Sequence, residues 1–205
     1  MPLNPCSNCY MVTECNECYK GEMSIRNAQR EAVIEKLAGH LLEHGLAAIS
    51  LRQLADAAGV SDRMLLYYFA DKAEVLSVTL TRIAEMMADA LVEALPEGES
   101  FSPADLLQRA AALTTQDEMR RFMRFWVEVV AAAARGEPAF AGIAAQIMQG
   151  WQTWVESRLI LPPDTDRRAV ALAIIATIDG LALIDICAGG PAAIQARKAL
   201  PILST

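Results

Sequence analysis

Residues 50–69, "SLRQLADAAGVSDRMLLYYF", restrict this chain more than any other stretch. Two short helical segments, 51–58 and 62–69, are each preceded by a serine, and Gly59-Val60-Ser61 joins them. Ser50 and Gln53 have capping-box spacing: the hydroxyl accepts from the third helical N–H while the amide reaches back to the cap's own N–H. Gly59 allows a sharp turn. Leu54, Ala55, Ala58 and Val60 form a small apolar inner face, and Ala58 lets a second helix cross closely. Leu65, Leu66 and Phe69 are predicted to anchor the second helix inward, turning residues 62, 63, 64, 67 and 68 outward. This is the spacing of a helix–turn–helix, whose second helix lies in a DNA major groove.

Helical signals continue on both sides. Ile34, Leu37, Ala38 and Leu41 share one face of a helix that Gly45 ends. Asp71 with Glu74 opens a helix predicted to reach Ala94, before "PEGES". Ser102-Pro103 is a cap with proline at the first helical position. Thr115 and Glu118 have capping-box spacing, and Met119, Phe122, Met123, Trp126 and Val130 follow on one face. Further helices are predicted over 140–161, from Asp164 to Gly189-Gly190, and from Pro191. Alanine is plentiful, alternating β-branched runs are nearly absent, and 54% of residues are hydrophobic, enough for a sizeable core. The expected fold is all-α: an N-terminal three-helix helix–turn–helix domain over 23–72 and a C-terminal helical bundle over 73–205, after a Cys-containing tail, 1–22.

Charge narrows the partners. Residues 1–23 sum to −2, residues 24–72 to 0 and residues 73–205 to −5, giving the chain's −7. An acidic chain is a poor non-specific polyanion binder, because phosphate contacts need cations. Any phosphate contact is therefore expected from the neutral segment. The N-terminus lacks a basic run followed by an apolar one, so a cytoplasmic location is expected. The apolar stretch 169–190 contains Asp179 and Asp185, which argues for a bundle or dimer core and against a membrane span.

"SLRQLADAAGVSDRMLLYYFADKAEVL" strongly resembles the DNA-binding domain of TetR-type (TetR/AcrR) transcriptional regulators. The resemblance is close over about residues 25–85; beyond that it rests on helix count and the phrase "IDGLAL". It implies a ligand-responsive repressor that binds a palindromic double-stranded DNA operator as a homodimer and is released by a small-molecule effector. By position, Ser50, Tyr68 and Lys72 correspond to phosphate contacts. Arg52, Arg63, Met64 and Tyr67 correspond to groove-facing residues, with Ser61 and Asp62 opening the recognition helix. Arg63 has the fork that matches guanine O6 and N7. The chain departs from the family pattern at Leu66, where tyrosine is usual, and at Arg63, where a small residue is usual.

The resemblance also implies an effector site among the middle helices, where Phe122, Met123, Trp126, Met148, Trp151 and Trp154 supply large, adaptable apolar surface. The same residues read equally well as ordinary core. Ile174, Ile178, Leu181 and Asp185 are the expected dimer stripe. No cofactor is implied, and the effector is not identifiable from the sequence.

Two further motifs compete with this reading. "HLLEH", residues 40–44, has the spacing of one zinc-peptidase class, but no third ligand is evident and His44 suits a helix C-terminus. Cys6, Cys9, Cys15 and Cys18 form C-x2-C-x5-C-x2-C, which could hold zinc or sense redox state and gives the alternative function, a metal- or redox-sensing regulator. Met23 begins "MSIRNAQREAV", an ordinary start for such a regulator, so residues 1–22 read as a start-site artefact or a disordered tail. No nucleophile–base pair or phosphate loop is present, and the chain is not expected to be an enzyme.

Overall fold

The computed structural model describes residues 16–46, 49–96 and 98–200. Among them the chain forms nine helices: α1 Asn16–His44, α2 Leu51–Ala58, α3 Asp62–Tyr68, α4 Lys72–Ala94, α5 Pro103–Leu113, α6 Asp117–Ala134, α7 Pro138–Arg158, α8 Arg167–Ala188 and α9 Gly190–Ala199. The described residues contain no strand beyond an isolated parallel bridge between Phe101 and Leu159.

The N-terminal unit closes around α1. Val33, Leu37, Ala38 and Leu41 recur at helical spacing and are buried against α2 and α4. Leu54, Ala55 and Ala58 of α2 and Leu65 of α3 complete that core, and Phe69 seals its edge at 2% exposure. Burying a phenyl side chain so fully contributes about 1.5–3 kcal/mol. α4 packs along α1 through its first half and against α6 and α7 through its second, so one helix serves both units. α6 and α8 flank α7, α5 lies on α8, and α9 folds back on α8.

Several expected boundaries move. Residues 16–22 are helical, so the boundary drawn at residue 22 falls inside α1, while residues 1–15 lie outside the described residues. The Thr115–Glu118 box is not made. The Thr115 hydroxyl donates to the Ala112 carbonyl at 2.9 Å, and α6 starts after Gln116 without a side-chain cap. α8 starts after Asp166, whose carboxylate accepts the Ala169 N–H at 3.1 Å, rather than at Asp164.

α8 is long and apolar enough to cross a bilayer by length and composition. It packs instead as a bundle helix. Asp185, 6% exposed, accepts a two-pronged contact from Arg120 of α6: Nε to Oδ2 at 2.7 Å and Nη2 to Oδ1 at 3.2 Å. Asp185 is buried while Arg120 keeps a solvent-facing side, so the contact neutralises a carboxylate that α8 turns inward.

Candidate nucleic-acid interface and helical-domain cavity

The reading head is assembled by local hydrogen bonds. Ser50 and Gln53 form the reciprocal box, with the Ser50 N–H donating to Gln53 Oε1 at 2.8 Å and the Gln53 N–H to Ser50 Oγ at 3.3 Å. Gly59 adopts φ 72°, ψ 32°, and the Val60 N–H donates to the Ala55 carbonyl at 3.0 Å, closing α2. Ser61 Oγ accepts the Met64 N–H at 3.2 Å and starts α3. Asp71 accepts the Glu74 N–H at 2.8 Å and starts α4. Each such cap is worth about 1 kcal/mol.

This scaffold leaves Ser50, Arg52, Ser61, Asp62, Arg63, Met64, Tyr67 and Lys72 exposed. Two expectations about α3 are corrected. Tyr68 is buried at 7% exposure, and its hydroxyl donates to Gln29 Oε1 of α1 at 2.9 Å, so it braces the helix from behind. Leu66, expected inside, is 46% exposed. In a seven-residue helix held by Leu65 and Tyr68, position 66 falls on the opposite side.

Arg26 escapes the sequence reading. Its guanidinium lies over the Tyr67 ring, 4.7 Å from the centroid, and donates to the Tyr67 carbonyl at 3.0 Å, putting a cation at the end of α3. The distance of 41 residues explains why no local pattern announces it. Arg30 similarly covers Phe69 and pairs with Glu74 at 3.1 Å. Lys36 donates to the Ala58 carbonyl at 3.3 Å, near the turn.

A cavity of about 60 Å³ lies among α4, α5, α6, α7 and α8. Of the six expected pocket residues, Met123, Trp151 and Trp154 line it. Trp126 stands behind Trp151, with ring centroids 4.8 Å apart. Phe122 is buried in the adjoining core, and Met148 packs on that core without lining the cavity. Asp179 is the acidic residue of the lining. Burial pushes its carboxyl above the usual carboxylate range, and a hydrogen bond from Trp126 opposes that shift. Its Oδ1 and the Trp154 Nε1 are both buried without a hydrogen-bond partner.

The expected dimer stripe faces inward. Ile174, Leu181 and Asp185 are buried within their own subunit, and Ile178 lines the cavity. The outer stripe of α8 comprises Leu172, Ala173, Ala176, Leu183, Ile184 and Cys187. His40 and His44 stack with ring centroids 4.3 Å apart, and His44 Nδ1 lies 3.0 Å from the His40 carbonyl oxygen, an arrangement suited to ending α1. Cys6, Cys9 and Cys15 lie outside the described residues, as does the Cys18 side chain. The metal- and redox-sensing alternative therefore has no structural observation behind it.

Fold and reading head together define a DNA-binding transcriptional regulator with a separate helical domain. A signature described as bacterial regulatory proteins of the tetR family matches residues 38–79, and one described as the C-terminal part of BetI-type transcriptional repressors matches residues 110–200. The chain belongs to the TetR family of transcriptional regulators, a family of regulators rather than of enzymes. It is 25% identical over 165 residues to the HTH-type transcriptional regulator PksA of Bacillus subtilis (strain 168), spanning 76% of this chain and 77% of PksA. The fold is similar to a transcriptional regulator from Rhodococcus sp. Rha1, with TM-score 0.63, 27% identity and coverage of 80% and 85% of the two chains. It is also similar to the multidrug binding protein EbrR complexed with proflavin, with TM-score 0.63, 24% identity and coverage of 85% and 99%.

Proposed function

We propose that this protein is a homodimeric, cytoplasmic repressor of a palindromic operator, released by a small molecule that enters the cavity between α4 and α8. The observation that carries this reading is the course of α4. Val75, Leu76 and Leu80 of α4 lie in the core shared with the DNA-binding unit, while Met87 and Leu91, farther along, line the cavity. Arg82 of α4 pairs with Glu35 of α1. A ligand that displaces the far half of α4 therefore tilts the near half and changes the spacing of two recognition helices. Its power over DNA binding equals its preference for the displaced state. EbrR, similar in fold, has been solved with proflavin, which supports a small-molecule role for this domain.

On DNA, α3 enters the major groove with Arg63 towards a base edge and Tyr67 towards the backbone, while Ser50 and Lys72 meet phosphates. Two copies supply the contacts that one helix of seven residues cannot. Fluorescence anisotropy with recovered genomic duplexes tests this. Affinity should fall steeply with salt, since each phosphate neutralised contributes a slope of about −0.9. Arg63→Ala should cost about 1–3 kcal/mol and relax base preference at one position of each half-site. Unchanged affinity in both Arg63→Ala and Lys72→Ala would overturn the docking.

A further inference from the structure

We propose that each operator half-site read by this chain carries a guanine with a thymine beside it, and that the thymine is selected by its methyl group packing on Leu66. This rests on the proposed docking of α3 in the major groove and specifies which base chemistry that helix selects.

The exposed side of α3 is a narrow stripe. The helix runs only from Asp62 to Tyr68, and Leu65 and Tyr68 hold its inner side. At about 100° per residue, positions 63, 66 and 67 fall together on the opposite side, spaced i, i+3 and i+4. Arg63, Leu66 and Tyr67 are all exposed, and Leu66 is not part of the hydrophobic core. Tyr67 is braced by Arg26, whose guanidinium covers the ring and donates to the Tyr67 carbonyl. Among the described residues the Arg63 side chain has no ion-pair or hydrogen-bond partner, so its fork is free.

Side-chain chemistry decides what can lie against this stripe. The Arg63 guanidinium can donate two bonds to guanine O6 and N7. Leu66 has neither donor nor acceptor, so it can neither hold a phosphate nor read a base by hydrogen bonding. The apolar feature that a base pair presents in the major groove is the thymine methyl group. A cytosine or adenine amine set against Leu66 would instead lose its water and gain no partner. Paired hydrogen bonds to adenine need Asn or Gln. α3 has neither, and Gln53 of α2 is committed to the Ser50 cap. Positions 63 and 66 lie about 4.5 Å apart along the helix axis, against roughly 3.4 Å per base pair. The thymine therefore falls within about two pairs of the guanine. Arg63 and Leu66 are also the two positions where the chain departs from the usual family pattern, so this selectivity is expected of this chain and not of the family at large.

The full-length protein first selects sequences from a randomised duplex pool, and the selection is repeated with Arg63→Ala. The guanine whose preference disappears marks the position Arg63 reads, and a thymine is expected beside it in each half-site. That thymine is then replaced by deoxyuridine, which removes the methyl group and keeps every hydrogen-bonding atom. Binding measured by anisotropy should weaken about fourfold with one half-site changed and about fifteenfold with both, the effect of one buried methyl group in each. Leu66→Ala should bind the thymine and uracil duplexes equally, which separates a direct contact from a change in duplex stiffness. The wild-type comparison needs no variant, so the test stays open if Leu66→Ala fails to fold. No guanine preference lost in Arg63→Ala, no thymine beside that guanine, equal binding of the two duplexes by wild type, or full discrimination by Leu66→Ala each overturns the inference. If duplexes are bound and Lys72→Ala weakens them while uracil costs nothing, the docking stands and only the methyl reading falls. If no duplex is recovered at all, the regulator reading itself fails and takes this inference with it.

Discussion

Gly45 sits at φ 81°, and a Cβ there would lie 2.7 Å from Glu128 Oε1. Glu128, on α6, also accepts the Leu46 N–H at 2.5 Å, tying the helical domain to the end of α1. Gly45→Ala combines left-handed backbone with a clash and should cost about 1–3 kcal/mol in urea unfolding. Glu128→Ala should restore part of that loss, and a double-mutant cycle measures how much. Asp179 yields a second expectation. Its folded-state pKa is raised, so its stabilising contribution is fully present below the unfolded value and is lost as pH rises through the folded one. Asp179→Asn should therefore melt higher than wild type at neutral pH, with the gap closing as pH falls to the ordinary carboxylate range. The caps of α2 and α3 were legible from sequence because both partners of each bond lie within four positions, as with Ser50 and Gln53. The inward turn of Tyr68 was not, because its partner Gln29 is 39 residues away.

At the scale of elements, α8 shows where sequence pattern stops informing. It is apolar on nearly every side, so periodicity assigns it no inner face. Asp185, paired with Arg120 65 residues away, is buried in the subunit together with Ile174 and Leu181 of the same helix. The stripe left outside has Ala173 and Ala176 between larger residues, a profile that allows two helices to approach closely across a two-fold axis. A charge there should be disruptive. Ala176→Arg is expected to convert the proposed dimer into a folded monomer by sedimentation velocity, and with it to abolish tight binding to the proposed palindrome while leaving helical content intact. The same change at Ile174 would instead unfold the bundle, because that side chain is buried within the subunit. The ends of α6, α7 and α8 were misplaced by a few residues, where Thr115 and Asp164 offered caps that the backbone did not use.

At the scale of the whole molecule, the two-unit plan was readable from the helix–turn–helix and the helix count, but the route between the units was not. It needs α4 to be continuous over 23 residues, with one end in each unit. The contact between Glu128 and the Gly45–Leu46 corner adds a second tether, from α6. Neither end of such a rod can be held without restraining the other, and the restraint is equal in both directions. If the proposed release operates, the dose at which a cell responds is not fixed by the cavity alone. Under the proposed release mechanism, protein saturated with operator duplex should bind its ligand more weakly than free protein, by the same factor by which the ligand weakens operator binding.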